Sequence, residues 1–224
     1  MPSVSTRNMK TAPLVSVLTP SVRPLGLEVT RTSLLAQTFT SFEWLVEINC
    51  TGKHDFNAAM NRMLRRAKGT LVVSIQDYIK APPDYLQKFW DAHLKKPTTF
   101  FTAPVGKVDD LDNPKDIRWD WRAHSDIATI RDDCWEIDSA AAPLSALKEI
   151  GGFDEYLDQW WSSDNVSVGK RAALAGYPLE LLFTNPSIAY DHDAHQKHPF
   201  RGNERPERVS LRMKEYEAGL KLTL

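Results

Sequence analysis

Four short apolar runs separated by helical periods leave this chain little choice of architecture. Residues 14–19 (LVSVLT), 42–48 (FEWLVEI), 70–75 (TLVVSI) and 98–103 (TTFFTA) are rich in β-branched and aromatic side chains, and each reads as a strand. Between the first two, Leu27, Thr30, Leu34, Leu35 and Thr38 recur at helical spacing across residues 27–39. Between the second and third, Phe56, Met60, Met63, Leu64 and Ala67 mark a helix over residues 56–67, with Gly69 as its C-terminal stop. Pro82 and Pro83 open a third helix that carries Leu86, Phe89 and Trp90. Strands and helices alternating at this pitch predict βαβ units: an α/β fold with a mainly parallel central sheet and helices on both faces. Ligands of such sheets sit beyond the carboxyl ends of the strands. Those ends fall at residues 20–23, 47–50 and 76–78.

The second half is less regular. Residues 105–116 carry Asp109, Asp110, Asp112 and Asp116 and read as a surface loop. Residues 117–138 scatter Trp119, Trp121 and Trp135 among charges. A helix is expected from Pro143, then the Gly151-Gly152 turn, then a helix after Asp164 with Val168, Ala172 and Ala175 on one face and Gly176 as its stop. A strand over 179–183 and a terminal helix within 204–220 complete the pattern.

The 224 residues carry a net charge of −1, so no global field attracts nucleic acid or an anionic membrane. Two cysteines, Cys50 and Cys134, are too few for a disulfide scaffold and suit a reducing compartment. The first residues lack the apolar stretch of a signal peptide, and no apolar run reaches membrane-spanning length. A soluble, cytoplasmic protein is the expectation.

Four ordered blocks carry a resemblance. Residues 13–24 (PLVSVLTPSVRP), 37–48 (QTFTSFEWLVEI), 57–86 (NAAMNRMLRRAKGTLVVSIQDYIKAPPDYL) and 150–165 (IGGFDEYLDQWWSSDN) resemble, in that order, segments of the GT-A-fold glycosyltransferases, family 2 in particular. The likeness spans about residues 13–195. It implies residues 1–12 as an extension and 13–200 as one GT-A-like catalytic domain. That domain would have a donor-nucleotide half (13–104) and an acceptor half (105–200), and 201–224 would form a helical tail.

The resemblance also implies a set of roles. A nucleoside-diphosphate sugar would be lined by Thr19, Pro20, Ser21 and Arg23, and its base met by Glu47 or Asn49. Asp77 would hold a divalent cation, Mn²⁺ or Mg²⁺, against the diphosphate, with His192 as an added ligand. A hard cation suits carboxylate, phosphate and water oxygens. The family's motif holds two or three acids where this chain has Gln76-Asp77-Tyr78, so a turn-capping role for Asp77 stands beside the metal role. His192 and His195 with Asp191 and Asp193 also have zinc-like spacing, but His54, His93 and His124 add no supporting pattern.

Asp164 is the candidate general base of an inverting transfer, and it also suits a helix cap. The acid usually paired with it is Ser163 here. Trp160 and Trp161 would offer an acceptor platform, since indole faces stack on pyranose C–H surfaces. Asp154 and Glu155 would position acceptor hydroxyls or stabilise the turn. Arg171 would face phosphates or make surface ion pairs.

The leading expectation is therefore a glycosyltransferase moving a sugar from a nucleoside-diphosphate sugar to a hydroxyl of a saccharide or other acceptor. The thinned acidic motif motivates a second reading, a non-catalytic GT-A-fold module that binds glycans or nucleotide sugars. A third is glycosylation of a modified nucleic acid. Its phosphates would be tracked by residues 196–221, where seven Lys/Arg meet four Glu; the near-zero net charge argues against it.

Overall fold

The computed structural model describes residues 12–22, 26–48, 55–160, 164–190 and 206–224. Its first three strands are β1 (Val15–Ser21), β2 (Phe42–Ile48) and β3 (Leu71–Ile75), linked by α1 (Gly26–Leu35) and α2 (Phe56–Arg66). There follow the two-residue strand β4 (Ile79–Lys80), α3 (Tyr85–Lys95), β5 (Phe100–Thr102), β6 (Val105–Val108) and β7 (Arg118–Trp119). The second half adds β8 (Ser139–Pro143), α4 (Leu144–Glu149), α5 (Asp164–Leu174), β9 (Leu179–Leu181), β10 (Ser187–Tyr190) and a terminal α6 (Pro206–Glu217).

The central sheet runs β2-β1-β3-β8-β5-β9. β1 is parallel to both β2 and β3, and β5 is parallel to β9; β8 runs antiparallel between β3 and β5. A strand from the second half of the chain thus closes the sheet of the first half. Every residue of β8 (SAAAP) is buried. Alanines there let helices approach both faces closely, which a row of larger side chains would prevent.

A smaller sheet, β4-β10-β6-β7, lies beside it. β6 and β7 fall where the sequence reads as loop and irregular chain. β1 also outruns its expected stop at Pro20. It leaves β3 after Leu18 and continues against β2 alone, so an imino acid without an N–H is tolerated there.

Two apolar layers sandwich the sheet. On one face Met60, Met63 and Leu64 of α2, Ala146 and Leu147 of α4, and Val168 and Ala172 of α5 pack with Leu18, Val72 and Trp135. On the other, Leu34 of α1 and Tyr85, Leu86 and Phe89 of α3 pack with Val17, Val73 and Ile75. Trp135 is 1% exposed and donates its indole N–H to Phe101 O at 3.0 Å. The buried Gln37 donates to Pro82 O at 2.8 Å and accepts from the Leu86 N–H at 3.0 Å. One amide therefore caps the first turn of α3 from 45–49 residues away.

Gly176, at φ 84°, ends α5 as expected, with Tyr177 N–H returning to Ala172 O at 3.0 Å. Gly69 differs. α2 ends on the extended Ala67, and a Cβ on Gly69 would lie 2.5 Å from the Ser16 backbone nitrogen. Close approach of two backbones, rather than a left-handed stop, requires glycine here. Gly69→Ala is expected to cost about 1–3 kcal/mol through overpacking, read as a lower urea midpoint; an unchanged midpoint would remove this account of Gly69.

Candidate functional site

The parallel pairing of β1, β2 and β3 brings their carboxyl ends to one edge, and the turn after β3 puts Asp77 there. Four neighbours fix that turn. Ser21, at the end of β1, donates its hydroxyl to Asp77 Oδ2 at 2.7 Å. The Thr30 hydroxyl of α1 lies 3.3 Å from both Gln76 O and Ile79 O, on either side of the turn. Tyr78 N–H donates to Gly26 O at 3.3 Å, and Tyr78 O accepts from Tyr190 N–H at 3.1 Å. Tyr78 is held at φ 64°, a left-handed conformation that a bulky residue adopts only where its surroundings over-determine it. Its ring lies where a Cβ on Gly26 would be, within 2.4 Å.

The residue before β8 braces the turn from its other side. Gln76 N–H donates to Asp138 O at 3.2 Å. The Asp138 carboxylate accepts from Arg122 at 2.8 and 3.0 Å. Arg122 is 2% exposed and also bonds Asp120 at 2.5 and 2.9 Å and the Thr102 hydroxyl at 2.8 Å. Burial alone would lower its pKa, but Asp138 and Asp120 together hold it above the ordinary guanidinium value. Sequence reasoning missed both residues. Arg122 lies in the irregular, charge-rich stretch, where no periodicity marks a buried position.

The segment 153–158 is bolted to α2. Asn61, 3% exposed, donates to Phe153 O at 2.9 Å and to Glu155 Oε1 at 2.8 Å, and accepts from Phe153 N–H at 2.8 Å. Asp158, in the 3₁₀ turn Glu155–Trp160, accepts from Asn57 N–H at 2.8 Å, Ala58 N–H at 3.0 Å and Asn57 Nδ2 at 2.9 Å. A carboxylate about a hundred residues downstream thus caps α2, while the adjacent Asp55 makes no side-chain cap. Only the fold could show this.

The expected site residues divide. Ser21 and Asp77 meet in a direct hydrogen bond. Thr19 is wholly buried, and its hydroxyl accepts the Trp44 indole N–H at 2.9 Å, which braces β1 against β2. Pro20 is buried in the strand. Glu47 lies at the end of β2 but is paired with Arg62 at 3.1 Å and Arg66 at 2.8 Å. Asp154 is 3% exposed; its carboxylate is taken up by Arg212 and Tyr216 and accepts the Tyr156 N–H, in keeping with the turn-stabilising alternative. Arg171 is buried and donates to Ile150 O at 2.6 Å and Ser167 Oγ at 3.2 Å, which overturns the surface ion pair. Asp164 opens α5, and Trp160 closes the 3₁₀ turn. Arg23, Asn49, Trp161 and His192 lie outside the described residues.

Among the described residues, no group of three or more His, Cys, Asp or Glu could hold a metal ion. Asp77 by itself fits one ligand position of a hard cation, of the kind that keeps waters and takes phosphate oxygens. No helix of the described residues is long and apolar enough to cross a membrane.

Burial pushes the Asp158 carboxyl up to about 6, against the three N–H donors that favour its charged form. Because the folded value exceeds the unfolded one, the native state binds the extra proton. This group's contribution to stability is therefore largest below about pH 4 and is lost as pH rises through about 6. NMR titration of the Asp158 carboxyl is expected to give a midpoint near the folded value, and Asp158→Asn should abolish that slope in stability. A midpoint in the ordinary carboxylate range would contradict the assignment.

No protein-family model and no curated protein sequence matches the chain. Solved structures do. Residues 1–349 of Staphylococcus aureus TarS superpose with a TM-score of 0.61 at 13% identity, covering 81% of this chain and 61% of that one. The same protein in complex with UDP-GlcNAc gives 0.61 at 14% identity, covering 79% and 58%. Its complex with UDP gives 0.60 at 15% identity, covering 79% and 60%. The chain therefore spans about three fifths of the solved TarS fragment it matches. The likeness fixes the architecture: this chain has a GT-A-type fold.

Proposed function

We propose that the protein is a glycosyltransferase that takes its sugar from a nucleoside diphosphate. The observation that carries this reading is the Ser21–Asp77 pair. It sets a carboxylate in an over-determined turn at the carboxyl edge of the sheet, in a fold whose neighbours hold UDP and UDP-GlcNAc. Ligands of open α/β sheets sit at that edge. In this reading the nucleotide lies across the ends of β1 and β3, and the sugar points towards the start of α5.

The chemistry asks three things of the chain. Asp77 orients the diphosphate; a divalent cation there, Mn²⁺ or Mg²⁺, would neutralise the charge that builds on the departing phosphate oxygen. Asp164 accepts the acceptor hydroxyl's proton while that oxygen forms its bond to the sugar C1. The bond from C1 to the diphosphate breaks, and its electron pair leaves with the nucleotide. Attack from the face opposite the leaving group inverts C1. The Arg122–Asp138 pair keeps the residue before β8 in place beside Gln76.

Calorimetry with UDP and UDP-GlcNAc, with and without Mn²⁺, tests donor binding, and UDP release tests turnover. Asp77→Asn is expected to weaken Mn²⁺-dependent UDP binding by about tenfold or more, since one charged ligand of the metal is lost. Asp164→Asn is expected to fold normally, keep UDP affinity and lose roughly 10²–10⁴-fold in transfer. Unchanged transfer in that variant removes Asp164 from the mechanism. Tight UDP binding with no sugar transfer or hydrolysis in the wild type would favour a non-catalytic binding module.

A further inference from the structure

We propose that the hydroxyl of Tyr216, on the terminal helix, is a positioning group for the acceptor side of the site, tying together the two ends of the segment that leads into Asp164. The catalytic part of this inference rests on the reading above; the tethering itself does not.

The two ends are Asp154 and Ser167. Asp154 follows the Gly151-Gly152 turn and precedes the 3₁₀ turn Glu155–Trp160; Ser167 lies in the first turn of α5, one turn past Asp164. Tyr216 donates its hydroxyl proton to Asp154 Oδ2. That leaves its oxygen to accept from the Ser167 hydroxyl at 3.1 Å. Arg171, in turn, donates to Ser167 Oγ at 3.2 Å. From the other side, Arg212 grips the Asp154 carboxylate with Nε at 2.6 Å and Nη2 at 3.2 Å. The result is a directed chain, Arg171 to Ser167 to Tyr216 to Asp154, closed by Arg212.

Burial makes this chain more than surface decoration. Ser167 is wholly buried, Asp154 and Tyr216 are 3% exposed, and Arg171 is 5% exposed. Two cations lie over the Tyr216 ring, with guanidinium carbons 5.4 Å (Arg171) and 5.7 Å (Arg212) from its centroid. Polar groups taken this far out of water keep the bonds they have, because losing one leaves a further donor or acceptor unmet beside the already unpartnered Arg171 Nε. A phenol reaching both ends of the segment sets the distance between them.

Phenylalanine keeps the ring and both cation contacts and removes only the two hydrogen bonds. Tyr216→Phe is therefore expected to raise amide hydrogen exchange by about tenfold across residues 154–168 while leaving β3 and β8 protected. Ser167→Ala cuts one arm only, so its increase should be confined to the first turn of α5. With UDP-GlcNAc as donor, Tyr216→Phe is expected to keep UDP affinity and donor KM within about twofold and to lower kcat by about tenfold or more.

Unchanged exchange in residues 154–168 overturns the tether. Raised exchange with unchanged kcat overturns the positioning role. Raised exchange with equal losses of UDP affinity and kcat marks a merely structural residue and also overturns it. If the wild type releases no UDP from any nucleotide sugar, the proposed function fails, and the exchange data still decide the tether.

Discussion

The bond between Ser21 and Asp77 joins the ends of two adjacent parallel strands, and the site depends on that juncture. Parallel pairing of β1 with β3 makes their carboxyl ends coincide; the hydrogen bond then fixes where the carboxylate sits. Tyr78 accepts a left-handed backbone because Gly26 leaves room for its ring and Tyr190 satisfies its carbonyl. A residue in this conformation carries strain of about 1–3 kcal/mol. Its neighbours on α1 and β10 hold it there, which makes the turn a rigid place to bind a charged group.

At two points of this fold buried charge meets a counter-charge from a distant part of the chain. Arg122 meets Asp138, just before β8, as well as its neighbour Asp120, and Arg212 meets Asp154 from the terminal helix. Buried ion pairs contribute little net stability against apolar replacements, yet breaking one partner costs about 3–5 kcal/mol. Their effect is to specify which surfaces meet. Asp154 shows the balance: burial would raise its pKa, but Arg212 and Tyr216 hold it below the usual carboxylate value. The segment 153–158 is thereby fastened twice, to α2 through Asn61 and Asp158 and to α6 through Asp154.

The first half of the chain was legible because its strands are β-branched runs with helices of clear period between them. β2 matches its expected bounds, and β1, β3, α2 and α3 differ only at their ends. β8 was not legible: alanine favours helices and is depleted in strands, and only neighbours on both sides make Ser139–Pro143 extended. β10 is four residues long and depends on β6 and β4 for its pairing. Within the site, Asp77 could be found because it follows a strand. Arg122, Asp158 and Tyr216 could not, because each acts on a residue 16 or more positions away. Thr19 and Asp154 took their expected roles from the resemblance and from the neighbouring turn; in the fold both also make interior contacts.

A crystal structure of the protein grown with UDP and Mn²⁺ tests the central claim most directly. The account predicts the nucleotide across the ends of β1 and β3, with its diphosphate at Asp77 and the turn at Tyr78 unmoved. UDP bound elsewhere, for instance in the cleft of about 500 Å³ lined by Arg171, Tyr216 and Leu222, with the Asp77 edge empty, would contradict it.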